Sequence, residues 1–260
     1  FPLLISTMSD TTTIFLSDAH FGIPVDGCEK REEYFAQFIN KLPSSVTDIF
    51  FIGDIFDFWI EYRSFIRSDY VPILCTIRSA VERGIKVHYL AGNHDFALGP
   101  FLGTIGIDVL CDTHECIIQG KKVHLFHGDG IIKADVGYRL LKPLLRNQFN
   151  QRIYKLLHPD IGVAIASFCS GSSRKYLRNR ITEKIIKQYR ECAREELENG
   201  SDIVIYGHTH HAELCHFKHG SYLNTGAWLL HYNYAQLKNG ELTLWRYRAD
   251  LPPEQLSAID

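Results

Sequence analysis

The chain has 260 residues, of which 45% are hydrophobic and 12% aromatic, so it can bury the core of one large domain. Its formal net charge of −2 provides no overall basic field, which argues against a nucleic acid partner. The seven cysteines are odd in number and form no Cys-x-x-Cys pair, which favours free thiols in a reducing compartment over a disulfide framework or zinc knuckle. Residues 1–7 lack the basic region of a signal peptide, and no apolar run approaches the roughly 20 residues of a membrane span. We therefore expect a cytoplasmic protein that is soluble or at most peripheral to a membrane.

The first predicted strand, residues 13–16, runs into Ser-Asp-Ala-His. Asp18 and His20 alternate with a period of two, so both side chains can point the same way at the strand end. A carboxylate oxygen with an imidazole nitrogen suits Mn, Fe or Zn. A capping aspartate beside a surface histidine would give the same pattern, so this pair alone does not establish a metal site.

The central predicted strand is the apolar run that begins at Ile49 and ends at Gly53-Asp54. Gly53 allows a sharp turn, and Asp54 then lies at the carboxyl end of a buried strand, where α/β sheets bind ligands. Helices are predicted on both sides, over 29–42 and 70–83. This alternation indicates a mixed or parallel sheet flanked by helices.

The third predicted strand, residues 86–90, leads into Gly92-Asn93-His94-Asp95. Asn93 offers a neutral oxygen ligand. His94 follows it directly and should point elsewhere, which suits work on a substrate. We predict that Asp95 holds the His94 ring in one tautomer and keeps it protonated. The alternative is an ordinary polar turn.

Two later strands end in histidines. A hairpin over 115–118 and 122–126 leads to His127, and a strand over 202–206 leads to His208 and His210, which share a face. Short strands between 213 and 247 are predicted to form a β meander. Residues 251–260 carry Pro252-Pro253 and are predicted to be a loosely held tail.

The stretch 135–199 contains no strand that ends in a ligand. Residues 138–158 have leucines and other apolar residues at helical spacing with basic residues among them, and Pro143 marks either the first turn or a kink. Residues 176–197 are predicted to form a second, charged helix. We interpret residues 9–250 as a single domain, with residues from about 135 to 200 as a helical insertion or cap over the site. The alternative is a helical layer with a solvated basic face.

Five strand ends thus supply one set of candidate metal ligands: Asp18, His20, Asp54, Asn93, His127, His208 and His210. Two divalent ions about 3.5–4 Å apart need a bridging anion, which Asp54 can provide. A water that bridges the ions loses a proton near neutral pH and becomes a nucleophile. The ions also neutralise phosphate oxygens as charge develops in an in-line displacement.

In this order, the motifs resemble those of the calcineurin-like binuclear metallophosphoesterases: Asp-x-His, Gly-Asp, Gly-Asn-His-Asp, His and Gly-His-x-His. The resemblance implies an α/β fold, a four-layer α/β/β/α sandwich. It also implies that one ion takes Asp18, His20, Asp54 and His210, and that the other takes Asp54, Asn93, His127 and His208. His94 would stabilise the transferring phosphoryl group or protonate the leaving oxygen. Two Mn²⁺ ions are the favoured cofactor, with Fe or Zn as alternatives.

Within this superfamily, the chain is most similar to the UDP-2,3-diacylglucosamine hydrolases of lipid A synthesis. The similarity is carried by 53–59, 92–96, 127–129 and the basic helical segment with Ser173-Arg174. That family splits the pyrophosphate of its substrate into UMP and an acylated sugar phosphate. The best-known branch has arginine where this chain has His94. The resemblance implies one set of substrate contacts: Asp129, Tyr138, Ser173, Arg174 and Lys175.

The lipid substrate implies an apolar cover for its acyl chains and contact with the inner face of a membrane. Two other functions are left open. One is a phosphodiesterase or phosphatase for a soluble nucleotide or other phosphoester. The other is a binding scaffold that kept the fold and lost catalysis, although no candidate ligand is missing here.

Overall fold

The computed structural model describes residues 11–110, 112–132, 136–167 and 182–259. The strands are β1 (Thr12–Leu16), β2 (Val46–Ile52), β3 (Lys86–Leu90), β4 (Ile107–Val109), β5 (Thr113–Ile118), β6 (Lys121–Phe126), β7 (Ile203–Tyr206), β8 (Glu213–Phe217), β9 (Gly220–Asn224), β10 (Asn233–Lys238), β11 (Glu241–Arg246) and β12 (Glu254–Leu256). The helices are α1 (Arg31–Lys41), α2 (Val71–Glu82), α3 (Phe101–Thr104), α4 (Val136–Arg146), α5 (Gln148–Tyr154), α6 (159–167), α7 (Glu183–Glu198) and α8 (Trp228–His231). A 3₁₀ turn, Ser68–Tyr70, precedes α2.

The strands form two sheets. The first has seven strands in the order β12-β11-β10-β1-β2-β3-β4, and the second has five in the order β5-β6-β7-β9-β8. Strands β1 to β4 are parallel, and β6, β7 and β9 are parallel in the second sheet. Because parallel strands end at the same sheet edge, the turns after β1, β2 and β3 lie side by side, as do those after β6 and β7.

Three apolar clusters separate four layers. Helices α1 and α2 cover the outer face of the first sheet with Phe35, Phe38 and Ile73, all nearly inaccessible. A second cluster, which includes Phe15 and Leu125, fills the space between the sheets. A third packs α7 against the second sheet. Each such buried side chain stabilises the fold by about 1.5–3 kcal/mol relative to exposure. The predicted α/β/β/α sandwich is confirmed.

The C-terminal strands do not form the single meander that the sequence suggested. Strands β8 and β9 belong to the second sheet, with β9 between β7 and β8, whereas β10 and β11 belong to the first. The chain crosses between the sheets at α8, where Trp228 is fully buried. Periodicity identifies strands but not the sheet that each one joins, because both sheets present an apolar inner face.

The prediction of a loosely held tail is also wrong. Strand β12 pairs antiparallel with β11, and the Ile259 amide donates to the carbonyl of Leu214 at 2.7 Å. The pairing covers the unpaired edge that β11 would otherwise expose. Pro252-Pro253 lies just before β12, where the missing amide hydrogens interrupt no ladder.

The helical middle divides into two parts. Helix α7 buries Tyr189, Ala193 and Leu197 against the second sheet, so it is a layer of the sandwich. The described residues 136–167, here called the insertion, stand beside the site. The predicted helix over 138–158 breaks at Asn147, whose side chain accepts from the amides of Phe149 (2.9 Å) and residue 150 (3.3 Å) and so caps α5. Pro143 lies inside α4. Within the described ranges, no helix is long and apolar enough to cross a membrane.

A polar row on the first sheet gives a pH-dependent stability. The His88 ring lies 3.1 Å from a carboxylate oxygen of Asp48 and 3.1 Å from one of Asp108. Burial lowers the pKa of His88, but the hydrogen bonds to the two carboxylates outweigh it and raise the pKa above its ordinary value. The resulting stabilisation is complete below the unfolded pKa of about 6.5 and is lost as pH rises through the raised folded pKa.

We therefore expect His88→Gln to lower the free energy of unfolding by about 1 kcal/mol or less at pH 5.5 and by a smaller amount at pH 9. Urea titrations of both proteins at the two pH values test this. An equal difference at both pH values would show that the imidazolium contributes nothing.

Candidate metal centre

The two sheets bring their carboxyl ends together at one edge of the sandwich. The turns after β1, β2 and β3 and those after β6 and β7 carry all seven predicted ligands. Contacts join the sheets directly. The His127 Nε2 atom lies 3.3 Å from Asp54 Oδ2, and the His210 Nε2 atom lies 3.2 Å from Asp18 Oδ1. The structure thus places residues up to 192 positions apart in one site.

The ligand turns have an unusual backbone. Asp18, His20, Asp54, His208 and His210 have φ values of 52°, 45°, 55°, 69° and 57°. This left-handed region is unfavourable for residues with a Cβ, at roughly 1–3 kcal/mol each, and persists where surrounding contacts impose it. Here, the His20 amide donates to the Asp54 carbonyl at 3.0 Å, so neighbouring turns hold each other. The strain is concentrated where side chains must converge.

Two glycines make the convergence possible. A Cβ at Gly53, which has φ +80°, would lie 2.5 Å from His127 Nδ1. A Cβ at Gly92 would lie 2.1 Å from Asp54 Oδ1. The glycines that precede the predicted ligands in the sequence are therefore required by close approach, not only by the turn.

The first cluster consists of Asp18, His20 and His210, whose potential ligand atoms all lie within 4.8 Å of one another. The Nε2 atoms of His20 and His210 are 3.3 Å apart, and His20 Nε2 is 3.8 Å from Asp54 Oδ2. Burial raises the pKa of Asp18, but the His210 imidazole outweighs it and the net shift is downward. Burial lowers the pKa of His20 well below its ordinary value. A neutral imidazole and an ionised carboxylate are the states that bind metal.

The second cluster consists of Asp54, His127 and His208, with Asn93 beside it. The His127 Nε2 atom lies 3.2 Å from Asn93 Oδ1 and 3.3 Å from His208 Nδ1. The opposite nitrogen, Nδ1, donates to the Ile52 carbonyl at 2.7 Å, which directs the Nε2 lone pair into the cluster. Since Asp54 Oδ2 approaches both His20 and His127, Asp54 is the residue that can bridge two ions.

The charges in the second cluster fit the binding of a cation. Burial lowers the pKa of His127, but the Asp54 carboxylate outweighs this effect and raises it to about 10. Burial, and then the His127 charge, lower the pKa of His208 to about 4. A proton on His127 thus balances a buried carboxylate at the point where two imidazoles and an amide oxygen converge. Mixed nitrogen and oxygen donors in this arrangement fit divalent cations, which would replace that proton.

His94 lies next to both clusters, and together with His20 and Asp57 it forms a further group whose potential ligand atoms lie within 4.8 Å of one another. Its amide donates to Asp54 Oδ1 at 2.8 Å, and its Nδ1 atom lies 3.0 Å from the Asp57 carbonyl and 3.8 Å from Asp57 Oδ1. Asp57 Oδ1 also lies 3.4 Å from His20 Nδ1. Asp57 is fully buried and lies beside two imidazoles, with its main-chain carbonyl at His94 and its carboxylate at His20.

The predicted partnership between Asp95 and His94 is therefore wrong. The Asp95 carboxylate accepts from the Tyr89 hydroxyl and from a set of backbone amides: Gly92 at 2.7 Å, Asp54 at 3.2 Å, Ile55 at 2.9 Å and Phe56 at 3.3 Å. Burial and the nearby Asp54 charge raise the pKa of Asp95 to about 6. Through these amide contacts, Asp95 fixes the turn that bears Asp54. The consecutive side chains at positions 94 and 95 point in different directions, which is why the prediction failed.

Sequence reasoning missed Asp57, although the Gly-Asp-x-x-Asp spacing after β2 was visible. A buried carboxylate that holds the outer nitrogen of a metal-ligating histidine usually affects affinity or activity by about 10–100-fold. We expect Asp57→Asn to lower turnover by about that factor while the ion content stays above one per chain. Metal analysis and steady-state kinetics test this. Unchanged turnover would exclude an orienting role for the Asp57 carboxylate.

Of the predicted substrate contacts, the structure describes the side chain of Asp129 only. Asp129 is buried and makes ion pairs with Lys142 (2.7 Å) and Arg146 (3.4 Å) of α4. Tyr138 lies in α4, but its side chain is outside the described part of the structure. Ser173, Arg174 and Lys175 also lie outside the described residues. A substrate role for these residues remains a prediction.

The fold and site together define a two-sheet sandwich hydrolase with a candidate two-metal centre at the strand ends. Residues 11–212 match the family model described as calcineurin-like phosphoesterase. The chain belongs to this family and is a metal-dependent phosphoesterase, which confirms the expected superfamily and enzyme class. Divalent metal ions are the cofactors that the family implies.

Curated relatives of the chain show which phosphoesterases it is similar to. The chain is 27% identical over 213 residues to the UDP-2,3-diacylglucosamine hydrolase of Vibrio vulnificus (strain CMCP6), with 80% of this chain and 84% of the relative covered. It is 29% identical over 206 residues to the hydrolase of the same name from Azotobacter vinelandii, with 76% and 81% covered. A solved archaeal phosphodiesterase is 13% identical, with 91% of this chain and all of that chain covered and a TM-score of 0.48.

Proposed function

We propose that the chain hydrolyses the pyrophosphate bond of UDP-2,3-diacylglucosamine to give UMP and 2,3-diacylglucosamine 1-phosphate. The observation that carries this proposal is a group of exposed apolar side chains on the insertion, whose helix α4 contacts two loops of the candidate metal centre through Arg146. Similarity to relatives that bear this substrate in their names supports it. These exposed apolar side chains support an acylated substrate over a soluble one.

The apolar surface belongs to the insertion. Its large apolar side chains are exposed to solvent, whereas such side chains are more often buried. The exposed fractions are 74% for Leu140, 58% for Leu144, 67% for Phe149 and 84% for Leu156. An acyl chain gains about 0.8 kcal/mol for each buried CH₂ group, so this surface favours a lipid ligand. Arg152 is exposed on α5 and fits an anionic membrane face. We propose that the protein acts peripherally at the inner, cytoplasmic face of the membrane.

We assign Asp18, His20, Asp54 and His210 to one ion and Asp54, Asn93, His127 and His208 to the other. The donor set favours Mn²⁺ and also fits Fe or Zn. When bound, the two ions supply charge neutralisation and activation of water for attack on phosphorus. Asp54 belongs to both ligand sets and so fixes their relative position. Gly53 and Gly92, which precede Asp54 and Asn93, allow the two turns to approach each other closely.

His94 is the group that we assign to the substrate. Asp57 holds its Nδ1 atom, which leaves Nε2 to donate a proton to the leaving phosphate oxygen or a hydrogen bond to the transferring phosphoryl group. The cross-contact between the His94 amide and Asp54 Oδ1 fixes the ring relative to the bridging carboxylate. His94 then occupies the place of the arginine in the best-known branch.

The substrate is tested by mass-spectrometric product analysis with Mn²⁺. UDP-2,3-diacylglucosamine is offered beside UDP-N-acetylglucosamine, which has the same pyrophosphate without the long acyl chains, and bis(p-nitrophenyl) phosphate. We expect UMP and the acylated sugar phosphate to form at least about 100-fold faster from the acylated substrate, in terms of kcat/KM. Equal rates for the two sugar nucleotides, or cleavage of the aryl diester alone, would overturn the lipid assignment and favour a soluble nucleotide or phosphoester.

A matched pair of variants links the preference to the insertion. Phe149→Gln should reduce kcat/KM for the acylated substrate by about tenfold and leave UDP-N-acetylglucosamine unchanged, because only the former uses apolar contact. Ile117→Gln removes an apolar residue that is 75% exposed but belongs to β5, outside the insertion. The same loss in both variants would show that the insertion has no specific role.

A further inference from the structure

Helix α4 is attached to the protein in an unusual way. Its leucines Leu140 and Leu144 are mostly exposed. Among the residues that the structure describes, none of α4 or α5 belongs to the three apolar clusters. The α4 side chains that the structure describes are joined to the loops around the metal centre by polar contacts.

Arg146, in the last turn of α4, makes the central contact. Its guanidinium donates from Nη2 to the Gly92 carbonyl at 3.2 Å and pairs with Asp129 Oδ2 at 3.4 Å, while Nη1 pairs with Asp112. The side chain is only 18% exposed, so solvent screens these pairs less than it screens surface pairs. One guanidinium thus joins three separate loops.

Two of those loops, the ones that contain Gly92 and Asp129, bear metal ligands. Gly92 directly precedes Asn93, and Asp129 follows His127 by two residues. Lys142, one turn before Arg146, adds a second contact to Asp129, with Nζ 2.7 Å from the carboxylate and 3.1 Å from the carbonyl oxygen. The Asp129 carboxylate is buried, so an unpaired charge there would be strongly unfavourable.

The other end of the insertion is held differently. The Tyr154 ring lies 6.1 Å from the Phe58 ring, and the Tyr154 hydroxyl donates to the Gly162 carbonyl at 2.6 Å. Gly162 itself approaches Tyr62 so closely that a Cβ would lie 2.3 Å from the Tyr62 hydroxyl. The insertion is thus attached by aromatic packing at α5 and α6 and by charge at α4.

We propose that Arg146 is a positioning residue that sets the placement of the insertion relative to the metal centre and thereby its selectivity for large, acylated substrates. Asp129 is its anchor and not primarily a contact to substrate. The part of this proposal that concerns selectivity for acylated substrates rests on the proposed function. The attachment itself does not, because it concerns contacts within the chain.

The attachment is tested by hydrogen–deuterium exchange on the full chain with Mn²⁺ present, comparing wild type, Arg146→Gln and Arg139→Gln. Arg139 is an exposed arginine of the same helix and serves as the control. In Arg146→Gln we expect at least tenfold faster exchange across 136–146, with no change in β1, β2 or metal content. Unchanged exchange in α4, or loss of an ion, would overturn the attachment role.

Kinetics then test selectivity. Arg146→Gln should raise KM for UDP-2,3-diacylglucosamine by about tenfold with a smaller change in kcat, and should leave the aryl diester rate unchanged. Arg146→Lys should restore part of the KM, since it keeps the charge but not the forked geometry. Equal losses on both substrates would overturn the selectivity role. If wild type does not cleave the lipid substrate, the proposed function fails, whereas the exchange result still decides the attachment.

Discussion

Asp54→Ala is expected to bind at least one ion fewer than wild type and to lose turnover by about 1,000-fold or more. Asp54 Oδ2 approaches the His20 ring of one cluster and the His127 ring of the other, and no other carboxylate of the described site approaches both. Loss of a Lewis acid removes several kcal/mol of transition-state stabilisation, and each 1.36 kcal/mol corresponds to a factor of ten. Elemental analysis of dialysed protein and single-turnover kinetics measure the two effects.

A matched control separates the bridge from a general loss of charge. Asp108→Asn removes a carboxylate that is 64% exposed and lies on β4, away from the site, so it should keep full metal content and turnover. Two ions still bound to Asp54→Ala would refute the bridging role. Circular dichroism establishes that the variant is folded, which matters because the Asp54 carboxylate also accepts from the His94 amide.

His94→Ala is expected to retain both ions and to lose turnover by about 10²–10⁴-fold. General acid–base catalysis by a positioned side chain contributes this much, and the ring belongs to neither assigned ligand set. Its Nδ1 atom is held by Asp57, so its removal should leave the metal ligands in place. Metal analysis and kcat with the proposed substrate measure the effects, and full activity would remove His94 from the mechanism.

The variant His94→Arg distinguishes two roles. If the imidazole supplies a proton to the leaving oxygen, arginine cannot replace it, because its pKa is too high to exchange protons near neutral pH. If the imidazole only stabilises charge on the phosphoryl group, arginine should restore much of the rate. The best-known branch of the similar hydrolases carries arginine at this position. Restored activity in His94→Arg would therefore indicate that this chain and that branch use the same mechanism.

The positions of the ligands could be predicted from the sequence because local rules determine them. A glycine turn after an apolar run places the next polar residue at a strand end, and period-two spacing places two ligands on one face. The glycine rule applies to Asp54 and His208, and the period-two rule applies to the pairs Asp18–His20 and His208–His210. Parallel pairing then gathers the strand ends without further information.

The partners of His94 could not be predicted in this way. Asp95 is adjacent in sequence and Asp57 is 37 residues away, yet Asp57 contacts the ring. The left-handed backbone at Asp54 redirects the chain after β2, so side-chain direction beyond that turn does not follow from simple alternation. The sheet membership of β10 and the pairing of β12 depend likewise on contacts between distant segments.

The attachment of the insertion could not be predicted from the sequence either. Arg146 is one of several basic residues on a helix with exposed leucines, and nothing in its spacing marks it. Its role follows from three acceptors on loops that are distant in sequence. Helical periodicity predicted a helix, but which of its charges face the metal centre depends on how the helix docks.

The most direct test of the two-metal centre is a crystal structure of the protein grown with Mn²⁺, with anomalous diffraction used to locate the ions. We expect two peaks about 3.5–4 Å apart, both within bonding distance of Asp54. One should be surrounded by Asp18, His20 and His210, and the other by Asn93, His127 and His208. A single ion, or two ions that do not share Asp54, would contradict the account.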